Sequence, residues 1–134
     1  GLQAAILSIK LKYLDDWIYT RINLANHYIE NLKNVNQLIL PKKESWAKQA
    51  YHLFVVRTKK RNALKKYLSN NNIETGIHYP IALPKLNAYE YLNQGKENLF
   101  ANRSDKTLLS LPIGEHLTKK DLNNVILRVK KFLK

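Results

Sequence analysis

Apolar positions recur at helical spacing from the start of the chain. Leu2, Ile6, Ile9, Tyr13, Trp17, Leu24, Tyr28 and Leu32 form one stripe, and Leu7, Leu11, Leu14, Ile18, Ile22, Ala25 and Ile29 form a second beside it. Recurrence at three and four residues marks one face of a helix. The pattern predicts a single helix over residues 2–33, roughly 45–50 Å long at the helical rise. That length exceeds the diameter expected of a domain this size. The two stripes together are also wider than a one-sided surface helix requires. Part of this helix is therefore expected to pack against something outside the sequence.

Beyond it the pattern shortens. Asn34-Val35-Asn36 ends the helix, and Gln37–Leu40 is a strand candidate stopped by Pro41. Residues 42–48 are polar and read as a loop. Residues 50–57 are nearly continuous in apolar and aromatic side chains, the signature of a central strand. A short helix over 60–70 turns Leu64, Tyr67 and Leu68 inward, and Asn70-Asn71-Asn72 reads as a turn because Asn tolerates left-handed backbone angles. Ile73–Tyr79 is the next predicted strand. Short helical pieces are expected near 87–92 and 99–106, and an extended stretch over 108–112. Thr118 and Asp121 open the last helix as a capping-box variant, with Leu122, Val125, Ile126, Val129 and Phe132 as its buried stripe. The predicted class is α+β: one long helix leading into a small sheet with helices packed on it.

At 134 residues the chain is the size of one domain and can bury a core without staples. It has no Cys, which excludes disulfides and Cys-ligated metals and points to the cytoplasm. No apolar run approaches the ~18 residues of a membrane span, so no membrane partner is expected. Position 1 is not Met, and the opening residues read as a helix already under way, so the chain is expected to begin at a domain edge. The net charge of +13 raises the question of nucleic acid. Lys dominates that excess, however, and is scattered as pairs: Lys42-Lys43, Lys59-Lys60, Lys65-Lys66, Lys119-Lys120 and Lys130-Lys131. Scattered pairs read as solvated helix faces.

Candidate chemistry centres on Gly76-Ile77-His78-Tyr79-Pro80. Pro80 biases Tyr79 toward an extended backbone, which aims the His78–Tyr79 pair at the end of a strand, a place where working side chains tend to be presented. The other histidines read as packing residues: His27 on the flank of the long helix, His52 inside the apolar strand, and His116 in the loop before the last helix. No two histidines have metal-ligand spacing. Four glycines make no phosphate cradle, and Ser110 lacks the flanking glycines of a nucleophile elbow. No catalytic centre assembles from these residues alone.

Five segments, in order, carry a resemblance: Leu2-Gln3-Ala4-Ala5-Ile6-Leu7; Lys10–Leu14 with Trp17 and Arg21; Tyr51–Arg57; Gly76–Pro80; and Leu109-Ser110-Leu111-Pro112-Ile113. Together they resemble the C-terminal part of the DegT/DnrJ/EryC1/StrS group of pyridoxal-phosphate (PLP) aminotransferases, which act on nucleotide-linked keto sugars in polysaccharide and lipopolysaccharide biosynthesis. The resemblance implies the small domain of the aspartate-aminotransferase fold type (PLP fold type I), with a mostly antiparallel sheet. Residues 1–33 would be the connecting helix and residues 34–134 the α+β small domain. It implies that His78 and Tyr79 approach the sugar-nucleotide substrate. The Schiff-base lysine lies in the family's large domain, which no part of this sequence matches, so no catalytic residue and no cofactor are expected within this chain. It also implies a homodimer, here expected to associate through residues 2–32.

Two departures stand out. Pro84 occupies the place of the family's second histidine after the His-Tyr-Pro motif, and Leu99–Asn102 lacks the Pro and Glu that usually precede the last strand. Two rival readings stay open at this point: a basic nucleic-acid-binding module, and a non-enzymatic interaction domain descended from a truncated transferase.

Overall fold

The computed structural model describes residues 1–134. Two helices take the place of the single long one: α1 (Leu2–Leu11) and α2 (Leu14–Leu32). At the joint the Lys12 amide bonds the Ile9 carbonyl (3.3 Å) and the Tyr13 amide bonds that of Lys10 (3.0 Å). These three-residue closures tighten the turn and break the regular ladder. Neither Gly nor Pro marks the spot, so nothing in the pattern announces it. Across the joint the Tyr13 ring stacks on Trp17 at 6.0 Å, and the Lys10 amine lies 5.7 Å from the Trp17 ring centre.

The sheet is antiparallel and smaller than its apolar runs suggest. β1 (Phe54–Arg57) pairs with β2 (Leu108–Leu111), setting Phe54 opposite Leu111 and Arg57 opposite Leu108. Single bridges widen it on both sides, Ile39 to Arg57 and Gly76 to Ser110. The two other predicted strands, 37–40 and 73–79, reduce to these bridges. The reason at 73 is local: the Ile73 amide closes onto the Leu68 carbonyl, and Asn72 takes a left-handed φ of 57°, so the chain is still finishing a helix there. The predicted strand over 50–57 loses its front half because Tyr51 has φ of 50°. That backbone is fixed from afar, since the Arg21 guanidinium donates to the carbonyls of Tyr51 and His52, each at 3.3 Å. His52 consequently lies exposed ahead of β1 and not inside a strand.

The core forms where α2, α3 (Arg61–Ser69) and α5 (Lys119–Phe132) meet one face of the sheet. Tyr28 and Leu32 of α2, Phe54 and Val56 of β1, Leu64 and Leu68 of α3, and Leu122 and Val129 of α5 are all fully buried. The Tyr28 ring stacks on Phe54 at 4.9 Å and its hydroxyl donates to the Pro112 carbonyl at 2.9 Å. Burial raises the Tyr28 pKa well above the ordinary phenol value, so it remains neutral. The capping box at the start of α5 forms in both directions: Thr118 Oγ1 accepts from the Asp121 amide, and Asp121 accepts from the Thr118 amide. Over the sheet's edge runs an irregular stretch of three 3-10 turns (Leu83–Lys85, Asn87–Leu92, Gln94–Lys96) and the short helix α4 (Phe100–Ser104).

No helix is long and apolar enough to cross a membrane.

Candidate functional site at the Gly76–Pro80 edge

The site begins with the bridge between Gly76 and Ser110. Their backbones exchange two hydrogen bonds, Gly76 N–H to Ser110 O at 3.1 Å and Ser110 N–H to Gly76 O at 2.8 Å. This pins the His-Tyr-Pro segment to the rim of β2. The His78 imidazole then folds back over Gly76. A β-carbon at Gly76 would sit 2.3 Å from His78 Cε1, so only glycine leaves room for the ring in this position.

His78 Nδ1 lies 2.9 Å from the Ser110 hydroxyl, which is buried and has no other side-chain partner. A buried hydroxyl must place its proton somewhere. Nδ1 is the acceptor within reach, so the arrangement that satisfies both groups has Ser110 donating to Nδ1. With that bond made and the ring neutral, the ring proton is on Nε2, whose edge would offer a hydrogen-bond donor to solvent or ligand. Tyr79 is 75% exposed and meets the His78 ring edge-on, centres 5.9 Å apart. The peptide bond between the two is cis. His78 lines a shallow depression of about 320 Å³ with His52, Gly76, Ser110 and Ile113, while Tyr79, next to it in the chain, is exposed and does not line it.

Two polar anchors hold the surroundings. Besides its bonds to Tyr51 and His52, Arg21 reaches the Ile113 carbonyl at 3.4 Å and pairs with Glu115 at 2.9 Å. One guanidinium therefore ties α2 to both segments that border the depression. Glu115 is held below the usual carboxylate range, first by its own backbone amide and then by Arg21. On the other flank Asp105, almost fully buried, accepts from Lys85 Nζ at 2.9 Å and from the Ala82 amide at 3.3 Å. The hydrogen bond from Lys85 is the main reason its carboxyl lies below its ordinary pKa. Lys85 also donates to the Asn102 carbonyl. This latch fixes the chain just past Pro80 against α4.

Of the remaining histidines, His52 borders the depression, and His27 and His116 lie elsewhere. His27 Nε2 lies 2.7 Å from Asn123 Oδ1, linking α2 to α5, and the His116 ring lies over Gly114. No three His, Asp or Glu side chains gather anywhere to hold a metal ion. Sequence reasoning missed Ser110, Arg21 and the Lys85–Asp105 pair. Only contacts across 17 to 94 residues give them roles, and no local motif marks those.

The residues here do not fit a covalently held aldehyde cofactor. Every lysine is exposed except Lys65, Lys85 and Lys130. Lys85 is committed to Asp105 and the Asn102 carbonyl, and Lys65 donates to the Thr75 carbonyl at 3.2 Å. An amine that is to form a Schiff base must be free to attack, and both of these are held in hydrogen bonds.

Comparison with known proteins agrees with the fold. The chain is 40% identical over 130 residues to the erythromycin biosynthesis sensory transduction protein EryC1 of Saccharopolyspora erythraea, covering 96% of this chain and 36% of that protein. It is 39% identical over 131 residues to the dTDP-3-amino-3,6-dideoxy-alpha-D-galactopyranose transaminase of Aneurinibacillus thermoaerophilus, covering 98% and 36%. Among solved structures, DesV of S. venezuelae in complex with a ketimine intermediate superposes with a TM-score of 0.92 at 34% identity, covering 98% of this chain and 36% of DesV. A Brucella abortus aminotransferase gives a TM-score of 0.87 at 27% identity, covering 98% and 35%. The chain thus spans about 36% of the length of the relatives it matches. The model of one PLP-dependent family matches residues 1–130, and the chain belongs to it: the DegT/DnrJ/EryC1/StrS aminotransferase family.

Proposed function

We propose that these residues form the substrate-facing small domain of a PLP-dependent aminotransferase that places an amino group on a keto-sugar nucleotide. Residues 1–33 are its connecting segment and 34–134 its α+β body. The observation that carries this reading is the Gly76–Ser110 bridge. It holds His78 and Tyr79 at the surface of a fold whose relatives include a transaminase named for a dTDP-linked amino sugar. His78 donates from Nε2 to an oxygen of the sugar nucleotide, and Tyr79 supplies an exposed ring and hydroxyl beside it. When bound, PLP supplies the electron sink for moving the amino group. The lysine that holds it lies outside residues 1–134, as the settings of Lys65 and Lys85 support. This chain's residues orient the substrate and shape the wall against it.

We also propose that the domain associates through residues 2–32, whose front half carries Leu2, Ile6, Leu7, Ile9, Leu11 and Tyr13 exposed. Monomers rarely leave an apolar patch of this kind uncovered.

Two experiments test the assignment. Residues 1–134 mixed with PLP and borohydride are expected to give no lysine-linked adduct at a single defined position; one stoichiometric adduct sinks the claim about the lysine. Replacing the matching third of DesV with this chain, with and without His78→Ala and Tyr79→Phe, addresses the substrate role. The substitutions are expected to raise KM for the sugar nucleotide more than they lower kcat. A chimera that turns over equally well with both residues replaced removes them from the substrate site.

A further inference from the structure

One lysine pair behaves unlike the other four. Lys59-Lys60 follows β1 directly, and the fold sets it beside Arg57 and Arg103 on a cavity of about 610 Å³. That volume is in the range of small-molecule sites. No carboxylate pairs with any of these four cations: the chain's ion pairs involve Arg21, Lys33, Lys42, Lys48 and Lys85 only. Asp105, close by along the chain, is already taken by Lys85. The buried Arg61 adds a further positive charge nearby, its guanidinium bonded only to the Leu108 carbonyl at 3.3 Å. Helix α3 starts here as well, with Lys60 at its N-cap, no side chain capping it and no acidic residue in its first turn. The positive end of that helix is left uncompensated.

The cavity also has an apolar floor. Phe100 is 60% exposed and the Arg57 guanidinium lies over its ring, 4.9 Å from the centre, while Ile39 is 53% exposed at the edge. A guanidinium lying over a ring keeps N–H donors free to take an anion in two parallel bonds. Like charges gathered around a concave surface focus a positive potential into it. Charge alone selects an anion, and the exposed ring selects one that carries a flat group.

We propose that this cavity binds a small phosphate-bearing ligand with a planar ring, of nucleoside-monophosphate type. Arg57, Arg103 and the Lys59-Lys60 pair hold the phosphate, and the planar group stacks on Phe100. The cavity shares no residue with the His78 depression and lies on the opposite edge of the sheet, at the Ile39 bridge and not the Gly76 bridge. The proposal therefore does not depend on the aminotransferase reading.

Titration of residues 1–134 with AMP, inorganic phosphate and adenosine, followed by amide spectra at physiological salt, tests it. AMP is expected to bind saturably with shifts confined to residues around Arg57–Lys60 and Phe100–Arg103. Inorganic phosphate is expected to bind about tenfold more weakly, having no ring to stack. Arg103→Gln and Arg57→Gln should each weaken AMP about tenfold, whereas Lys130→Gln, on α5 and not lining the cavity, leaves it unchanged. Arg103 is exposed, so its variant keeps the fold and the reading does not hang on Arg57 alone. Shifts scattered over all lysine-bearing faces, or an equal loss in Lys130→Gln, overturn the proposal. So do shifts centred on His78 and Ser110, which would move the nucleotide to the other edge. Binding of single-stranded oligothymidylate more tightly than AMP would assign the surface to nucleic acid and equally overturn it.

Discussion

Helix α1 and the rear half of α2 carry the same apolar stripes, yet one is bare and the other sealed. Not one residue of α1 is buried, whereas Leu24, Ala25, Tyr28 and Leu32 of α2 lie in the core. The pattern alone suggested only that part of this helix packs against something outside the sequence. The division runs across the helix: both stripes are covered behind Trp17, where Ile22 and Ile29 also join the core, and both are open in front of it. Helical periodicity therefore reports what a face can bury and says nothing about whether a partner is there. The stretch over 81–106 is a third case. It exposes Leu83, Tyr91, Leu92 and Phe100 much as α1 does, but it is tied down by polar contacts. Lys85 and Ala82 bond Asp105, and the Asn102 side-chain amide donates to the carbonyls of Gln94 and Glu97.

The largest contrast should appear in stability. Leu32→Ala empties a fully buried position and is expected to cost ~2–5 kcal/mol. Leu7→Ala, on bare α1, is expected to stay within about 0.5 kcal/mol. Urea denaturation of both variants measures the difference. Equal losses would mean that α1 is packed in solution and would erase the comparison.

Association comes next. The whole chain is expected to run heavier than a monomer in sedimentation at high concentration, and Ile9→Glu with Trp17→Glu should return it to the monomer mass. Charges placed on an apolar contact remove the gain from burying it. A wild type that stays monomeric at the highest attainable concentration would show that the open stripes need no second copy, and the proposed association through residues 2–32 would fall.

The third effect separates the polar latch from the bare helix. Asp105 has a folded pKa below its unfolded one, so its contribution to stability is complete above the unfolded carboxylate value, about 3.9. It is lost as the pH falls from there through the lower folded value. Asp105→Asn is expected to flatten that part of the acid limb of a stability–pH curve. Lys85→Met, which strands the carboxylate, should cost ~1–2 kcal/mol at neutral pH, less than a fully buried pair because Lys85 is partly solvated. An unchanged acid limb in Asp105→Asn would show that the latch contributes nothing to folding.

Much of this architecture is legible in the sequence. The stripe of α5, its capping box, the inward face of α3, the Asn turn and the extended 108–112 segment all rest on local rules, and local rules survive folding. Part of what failed depended on distant residues. The front of the 50–57 strand is bent by Arg21, 30 residues earlier, and no propensity at Tyr51 foretells it. The joint at Lys12–Tyr13 lacks the Gly or Pro that usually marks a break. For the candidate site, the His78–Tyr79 pair could be picked out from Pro80, although the strand expected to carry it is only the Gly76 bridge. Its fixing could not, because Ser110 lies 32 residues away and carries no motif of its own.

The smallest effect tests that fixing directly. Ser110→Ala removes the donor to His78 Nδ1 while leaving the two backbone bonds to Gly76, so global stability should change by no more than about 1 kcal/mol. The ring, however, loses what selects its tautomer. In the wild type the imidazole nitrogen spectra should show a protonated Nε2 and an unprotonated, hydrogen-bonded Nδ1 at a pH where His78 is neutral. In Ser110→Ala the two tautomers should exchange and the signals should average, while Ser110→Thr, which keeps a hydroxyl, should restore the wild-type pattern. Gly76→Ala gives the complementary loss: the ring is displaced by the new β-carbon, the hydroxyl is stranded, and the same averaging follows with Ser110 intact. A wild-type spectrum with Nδ1 protonated would reverse the direction of the bond. His78 would then face a ligand with a lone pair and not a proton, and its proposed role as a donor to a sugar-nucleotide oxygen would fail on that measurement.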